Sequence, residues 1–308
     1  VTFDPTLGAY KVIAGAARLL PHSVMTGLSR VATASIAPLS PERKLIVERN
    51  LARSTGRQLC KDELADGVAA VFRAYARYYT DTARLPGLSA EAVDEGFSYE
   101  GFRHIQDGHA KGKGTILVLP HVGGWEWAGS WLNKVPGYEV TAVVEPLENR
   151  EVREWMHGWR ESVGMQILPL GKGLGSELLK RLKANHVVCL MSDRNLGDGG
   201  VDVEFFGETT QLPGGAATLA LRTGATIVPV AVYHRGLQNH AICEPPIAVE
   251  RHARMRDDIN RITQNIADVL EMQIKRQPTQ WIVLQPNWPS DHLALKAAAL
   301  KPAKNASA

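Results

Sequence analysis

One histidine and one glutamate carry the spacing that could do chemistry. His121 and Glu126 bound the run His121-Val122-Gly123-Gly124-Trp125-Glu126, an H-x4-E motif that follows a short apolar stretch and Pro120. A carboxylate that holds one imidazole nitrogen fixes the ring tautomer, raises its basicity and leaves the other nitrogen to take a proton. Such a pair suits proton abstraction from a hydroxyl. On a continuous helix, at roughly 100° per residue, positions 121 and 126 would point about 140° apart and miss each other. The pair is therefore expected to meet only if His121 lies at or just before a helix start and its ring folds back over the first turn. Gly123 and Gly124 leave space for that approach, and their backbone N–H groups are candidate oxyanion donors. The two residues taken alone also fit a capping histidine and a glutamate that favours the positive helix end.

Other chemistries find less support in the sequence. H-x4-E is not the HExxH spacing that puts two histidines on one helical face, no third ligand accompanies it, and no metal is expected. There is no GxSxG elbow, and Cys189 falls inside an apolar strand pattern where an inert, buried thiol is expected. The run Gly171–Ser176 lacks the GxxxxGK[ST] pattern of a phosphate loop and reads as a turn before a helix, with phosphate binding a minor alternative.

The elements that must position His121 alternate in type. Thr115–Leu119 is a continuous apolar run of the buried-strand kind, and Tyr138–Val144, His186–Ser192 and Thr226–Tyr233 read similarly. Helical patterns lie between them near Gly124–Asn133, Glu151–Val163, Leu174–Ala184 and Gly214–Arg222. This predicts an α/β fold: a mainly parallel central β-sheet flanked by helices, with a helical N-terminal extension. Asn239–Cys243 and Trp281–Leu284 are further expected strands, separated by a long helix near Asp257–Lys275. In a parallel α/β sheet ligands gather at the carboxyl ends of strands, which is where His121 falls.

Upstream, amphipathic helices are expected at Leu7–Leu20, Ser23–Ile36 and Pro41–Arg53, followed by a helix at Lys61–Arg84 with an aromatic stripe that includes Phe72, Tyr75, Tyr78 and Tyr79. The stripe reads as core, with a secondary role in lining an apolar slot. Residues 1–62 contain nine Lys or Arg against four acids, so this extension is the basic part of the chain and a candidate for membrane-surface contact; packing on the main domain is the alternative. The expected division is an extension over 1–62, an α/β domain over 63–290 and a tail over 291–308.

Composition narrows the partners. The 308 residues, 44% apolar, suit a folded chain with a formal net charge of only +3, which gives no general field for nucleic acid; no nucleic-acid partner is expected. Cys60, Cys189 and Cys243 form no CxxC pair, and a reducing compartment fits them. No signal peptide and no spanning segment of roughly 20 apolar residues is expected, so contact with a membrane would be peripheral.

The ordered set of motifs resembles the lipid A late-acyltransferase family, within the lysophospholipid acyltransferase-like superfamily. The matching features are His121 and Glu126 after a strand; Glu145-Pro146-Leu147 with Asn149-Arg150; Arg160 before Val163-Gly164; Ser192-Asp193-Arg194; and Val203-Glu204-Phe205-Phe206-Gly207 followed by Leu212-Pro213-Gly214. They span roughly residues 100–235. The resemblance implies an acyl-CoA-dependent O-acyltransferase with no cofactor beyond acyl-CoA as cosubstrate. Within the family it points to the branch that acts on mannosylated phosphatidylinositol. This implies palmitoyl transfer to the 6-hydroxyl of the 2-linked mannose, at the cytoplasmic face of the plasma membrane. It brings Glu145 and Arg160 into the site, with Asp193 and Arg194 as further candidates. An apolar slot for the chain is expected from Trp125, Trp127, Trp131, Phe205 and Phe206. The chain departs from the lipid A branch in carrying Arg194 where Gln is common, and Trp281-Ile282-Val283-Leu284-Gln285-Pro286 in place of a basic ending. A thioesterase, a lysophospholipid acyltransferase and a noncatalytic lipid-binding protein remain the alternatives.

Overall fold

A computed structural model describes residues 41–145, 154, 158–197, 199–252 and 254–300. The helices expected at Leu7–Leu20 and Ser23–Ile36, and the stretch Pro146–Arg150, lie outside the described residues.

The chain is α/β. Seven strands form the central sheet: β1 (Phe97–Glu100), β2 (Thr115–Leu119), β3 (Val140–Val144), β4 (Met165–Pro169), β5 (Val187–Met191), β8 (Thr226–Arg235) and β9 (Gln238–Cys243). Their order is β1-β9-β8-β2-β5-β3-β4, parallel throughout except for the β8–β9 pair. β2 has no exposed residue because it lies at the centre with helices on both faces, which explains its unbroken apolar run. A separate hairpin joins β6 (Val201–Phe205) to β7 (Glu208–Leu212). Its turn residues Phe206 and Gly207 both have positive φ, the geometry that lets a two-residue turn follow the twist of the strands.

The helices are α1 (Pro41–Thr55), α2 (Lys61–Arg84), α3 (Ala90–Glu95), α4 (Arg103–Ala110), α5 (Trp125–Lys134), α6 (Leu174–Lys183), α7 (Gly215–Thr223), α8 (Met255–Arg276) and α9 (Pro289–Ala299). On one face of the sheet Ile116, Val118 and Val188 pack against α6, α7 and α8 through Leu182, Leu219 and Ile266. On the other, Leu117, Leu119 and Val230 pack against α4 and α5 through Ile105, Trp131 and Leu132. A third cluster joins α1 and α2 to Ile282 and Leu284, with Val47, Leu51, Val71 and Phe72 at its centre. None of the described helices is long and apolar enough to cross a membrane.

The observed elements differ from the expected ones in three respects, the first being helices α3, α4 and α9, which no expected element covers and of which α9 overlaps the expected 291–308 tail. Trp281–Leu284 is not a strand; it forms an isolated antiparallel bridge from Trp281 to Val122, and Ile282 N–H donates to the His121 carbonyl at 2.9 Å. β1, β4, β6 and β7 carry no long apolar run. β6 and β7 are half-exposed, and β1 and β4 are sheet edges, so their sequences alternate or mix.

Candidate active site

Sheet register brings the central pair of side chains together. Leu119 of β2 stands opposite Met191 of β5. Two residues beyond each lies His121 or Asp193, so the two parallel strands deliver both to the same edge. His121 Nδ1 is 2.6 Å from Asp193 Oδ1, and the His121 backbone N–H donates to Asp193 Oδ2 at 2.8 Å. Trp281 Nε1 donates to the same oxygen at 2.8 Å, and Asn287 holds the Asp193 backbone carbonyl at 2.9 Å. Asp193 is fully buried. Burial alone would raise its pKa, but the His121 ring and the donors from His121 and Trp281 hold it below the usual carboxylate range. The carboxylate is thus ionised and can only accept, so Nδ1 donates and Nε2 is the nitrogen available for a proton. The His121 side chain is 27% exposed and lines the cavity.

The expected contact between His121 and Glu126 is therefore replaced. The helix begins at Trp125, after Gly123 has turned the chain with φ +60, and His121 stays with the strand that precedes it. Glu126, 5% exposed, faces a different partner: its Oε1 accepts from Arg160 Nε at 2.9 Å, Arg160 Nη2 at 2.7 Å and the Tyr78 hydroxyl at 3.2 Å. Burial opposes the charge on Arg160, but Glu126 and Tyr78 raise its pKa further. Tyr78 is itself pushed up by burial and by the neighbouring carboxylate, so its hydroxyl stays protonated. The carboxylate that orients His121 is Asp193; Glu126 anchors an internal ion pair beside it.

The two glycines also take a different role. Gly123 N–H donates to the Gln280 carbonyl at 3.2 Å and Gly124 N–H to the Val232 carbonyl at 3.3 Å, so neither is free to serve an oxyanion. They permit close approach of backbone. A Cβ on Gly123 would sit 2.0 Å from Val232 O, and one on Gly124 would sit 2.2 Å from Asn239 Oδ1.

His121 opens onto a cavity of about 590 Å³, within the usual range for ligand sites. Its lining includes Glu126, Glu145, Arg160 and Arg194 among mostly apolar side chains. Arg194 reaches Glu145 at 3.2 Å and Gln285 at 2.6 Å, forming a polar lip. Of the expected slot residues, Trp125 and Trp131 line the cavity; Trp127, Phe205 and Phe206 are not among its described walls. Trp127 is buried against Gly96 and donates to the Val93 carbonyl at 2.9 Å. Phe205 stacks on Trp288 at 5.7 Å and Phe206 packs on Trp281 at 5.6 Å, so this pair supports the indole that holds Asp193. The α2 stripe instead supplies Tyr75, Tyr78 and Tyr79, with Tyr78 stacked on Trp125 at 4.1 Å. Gln285 and Tyr78 were not among the sequence candidates for polar site residues. Their signals, a glutamine in an apolar tail segment and a tyrosine in a core stripe, are ordinary in isolation.

Cys189 lines the cavity, but burial pushes its thiol up to about 12, and burial also takes Cys243 to about 12. Neither supplies a thiolate near neutral pH. The remaining arrangement is an imidazole with one nitrogen held by a buried carboxylate, facing an apolar cavity. Residues 7–290 match the family model for bacterial lipid A biosynthesis acyltransferases. The chain belongs to that family. It is an acyltransferase. It is 35% identical over 248 residues to a phosphatidylinositol mannoside acyltransferase of Mycolicibacterium smegmatis, covering 80% of this chain and 79% of the relative. It is 34% identical over 241 residues to a phosphatidylinositol mannoside acyltransferase of Mycobacterium tuberculosis, covering 76% and 74%.

Proposed function

We propose that this acyltransferase moves a long acyl chain of the palmitoyl type from acyl-CoA to the 6-hydroxyl of the 2-linked mannose of a mannosylated phosphatidylinositol. The observation that carries the reading is His121, its ring oriented by buried Asp193, at the mouth of a largely apolar cavity with a polar lip. The names of the relatives supply the acceptor class.

Transfer is direct. The acceptor hydroxyl gives its proton to His121 Nε2 as its oxygen bonds to the thioester carbonyl carbon. The C–S bond then breaks, and the imidazolium returns the proton to the departing thiolate of coenzyme A. Asp193 holds the ring in one tautomer and stabilises its charged form, the work a carboxylate does beside a catalytic imidazole. The high thiol pKa of Cys189 favours this route over an acyl-enzyme. Glu145, Arg194 and Gln285 at the lip offer donors and acceptors for sugar hydroxyls, while the apolar walls take the chain. Glu126, Arg160 and Tyr78 fix the wall next to the base. The enzyme works as a peripheral protein at the cytoplasmic face of the plasma membrane, where both substrates meet.

The test is a palmitoyl-CoA transfer assay against mannosylated phosphatidylinositols, lysophospholipids and water, with wild type and His121→Ala side by side. The expected product is the acylated mannolipid, lost with His121→Ala. Release of palmitate indifferent to added glycolipid would mean a thioesterase, and an acylated lysophospholipid would move the acceptor to another class. Either would overturn the proposal.

A further inference from the structure

The apolar part of the cavity can be followed strand by strand across one face of the sheet. From Leu119 on central β2 its lining passes to Val230 on β8, Ala241 on β9 and Tyr99 on β1, in the order of the strands. β1 is the sheet edge, three strand spacings from β2, or about 14 Å. Helix α5 roofs this passage. Toward the opposite edge the space beneath α5 narrows where Met165 of β4 packs on Gly129; a Cβ added to Gly129 would lie 2.5 Å from Met165 Sδ. The cavity has a second arm, past Val144 and Met191 to Leu174 and Leu178, and the arm toward β1 is the one that runs beneath α5 to an end built of aromatic rings.

That arm ends on a cluster of rings: three touch one another, and Phe97 lies beside them, 4.9 Å from Trp131. Tyr99 and Phe102 lie 5.1 Å apart, Tyr99 and Trp131 5.0 Å, and Phe102 and Trp131 5.1 Å, a closed triangle of contacts. Two of the rings are fixed. Trp131 and Phe102 are buried, and Trp131 Nε1 donates to Asp94 Oδ1 at 2.7 Å. Tyr99 differs: it is 48% exposed and rests against the other two from the solvent side. It also stands opposite Ala241 in the β1–β9 register, where the small alanine side chain leaves the passage open.

We infer that the acyl chain takes the arm toward β1 and that this wall of rings sets its length, with Tyr99 as the residue that fixes the upper limit. The inference rests on the acyl-transfer reading above. The methyl end of the chain comes to rest against Tyr99, Phe102 and Trp131. A longer chain has to displace Tyr99, the one ring with solvent behind it. In an apolar pocket a single misfitting methylene changes kcat/KM by about tenfold or more, so the wall sets a cut-off.

The experiment compares kcat/KM for saturated acyl-CoA donors from lauroyl to arachidoyl in wild type, Tyr99→Ala, Tyr99→Phe and Ala241→Leu. In parallel, binding of the same donors is measured by fluorescence displacement. Tyr99→Ala removes a half-exposed side chain from an edge strand and leaves the buried rings in place. It is expected to raise the ratio of the longest donor to the wild-type optimum by about tenfold or more. Tyr99→Phe keeps the wild-type profile, and Ala241→Leu moves the optimum to a shorter donor. A Tyr99→Ala profile identical to wild type in both turnover and binding overturns the inference. Should wild type bind the donors and transfer none of them, the acyl-transfer reading fails while the binding profiles still decide the role of Tyr99.

Discussion

Asp193 and Glu126 carry the same carboxylate into two environments, and deleting each has a different consequence. Asp193 faces the His121 ring, so Asp193→Asn keeps the shape of the site and removes the acceptor that fixes the tautomer. Its kcat is expected to fall by about 10²–10⁴-fold, the contribution of a well-placed general base, while the far-ultraviolet circular dichroism spectrum is unchanged. Glu126 faces Arg160, and Glu126→Ala strands a buried cation. That change is expected to cost about 3–5 kcal/mol of stability in urea unfolding. Replacing both partners, as Glu126→Leu with Arg160→Met, recovers most of it, because the penalty comes from the unpaired charge. An equal loss in single and double variants would contradict this assignment. At Cys189, where burial holds the thiol near 12, Cys189→Ala is expected to retain wild-type turnover; its loss would point to an acyl-enzyme.

The strand-to-helix passage from β2 to α5 shows how far the sequence could be read at the level of elements. Gly123 has φ +60 and a Cβ there would lie 2.0 Å from Val232 O, so Gly123→Ala is strained twice. It is expected to lower stability by at least about 1–3 kcal/mol, measured by chemical denaturation. The strands β2, β3, β5, β8 and β9 and the flanking helices α2, α5, α6, α7 and α8 were legible, because buried parallel strands and amphipathic helices write their periods plainly. The edge strands were not, since partial exposure dilutes the pattern. The same limit governs the site. H-x4-E drew attention to two residues close in sequence. The partner of His121 instead lies 72 positions away and meets it only because β2 and β5 are neighbours. Strand order is a property of the packed sheet, which local spacing does not encode. Gly123 and Gly124 were recognisable as space-making residues, but the space admits backbone carbonyls and side-chain oxygen, and their N–H groups are consumed there.

Across the whole molecule, the segment that holds Asp193 is braced from the start of the described chain. Arg49 and Arg53 of α1 both reach Asp291 of α9, at 2.6 Å and 2.8 Å, and Arg53 also lies 3.9 Å over Trp288. Ile282 and Leu284 pack into the α1–α2 cluster, so α1, α2 and the residues carrying Trp281 form one body around the site. Burial would raise the Asp291 pKa, but Arg49, the Asn287 backbone N–H and Arg53 hold it below the ordinary range, as His121 and its neighbours do for Asp193. Folded-state pKa values that lie below the unfolded ones give stability that is present above the unfolded value of about 4. That stability is lost as pH falls through the lower folded values. Tm is therefore expected to drop on acidification below about pH 4, and the drop is shallower in Asp291→Asn, which has no such proton to take up. Parallel Tm profiles for the two proteins would contradict that linkage. The proposed role of His121 as base is tested most directly by single-turnover transfer of palmitoyl from palmitoyl-CoA to a mannosylated phosphatidylinositol, comparing wild type with His121→Ala at matched fold and donor binding. A loss of at least about a hundredfold in the transfer step is predicted; an unchanged rate would contradict the account.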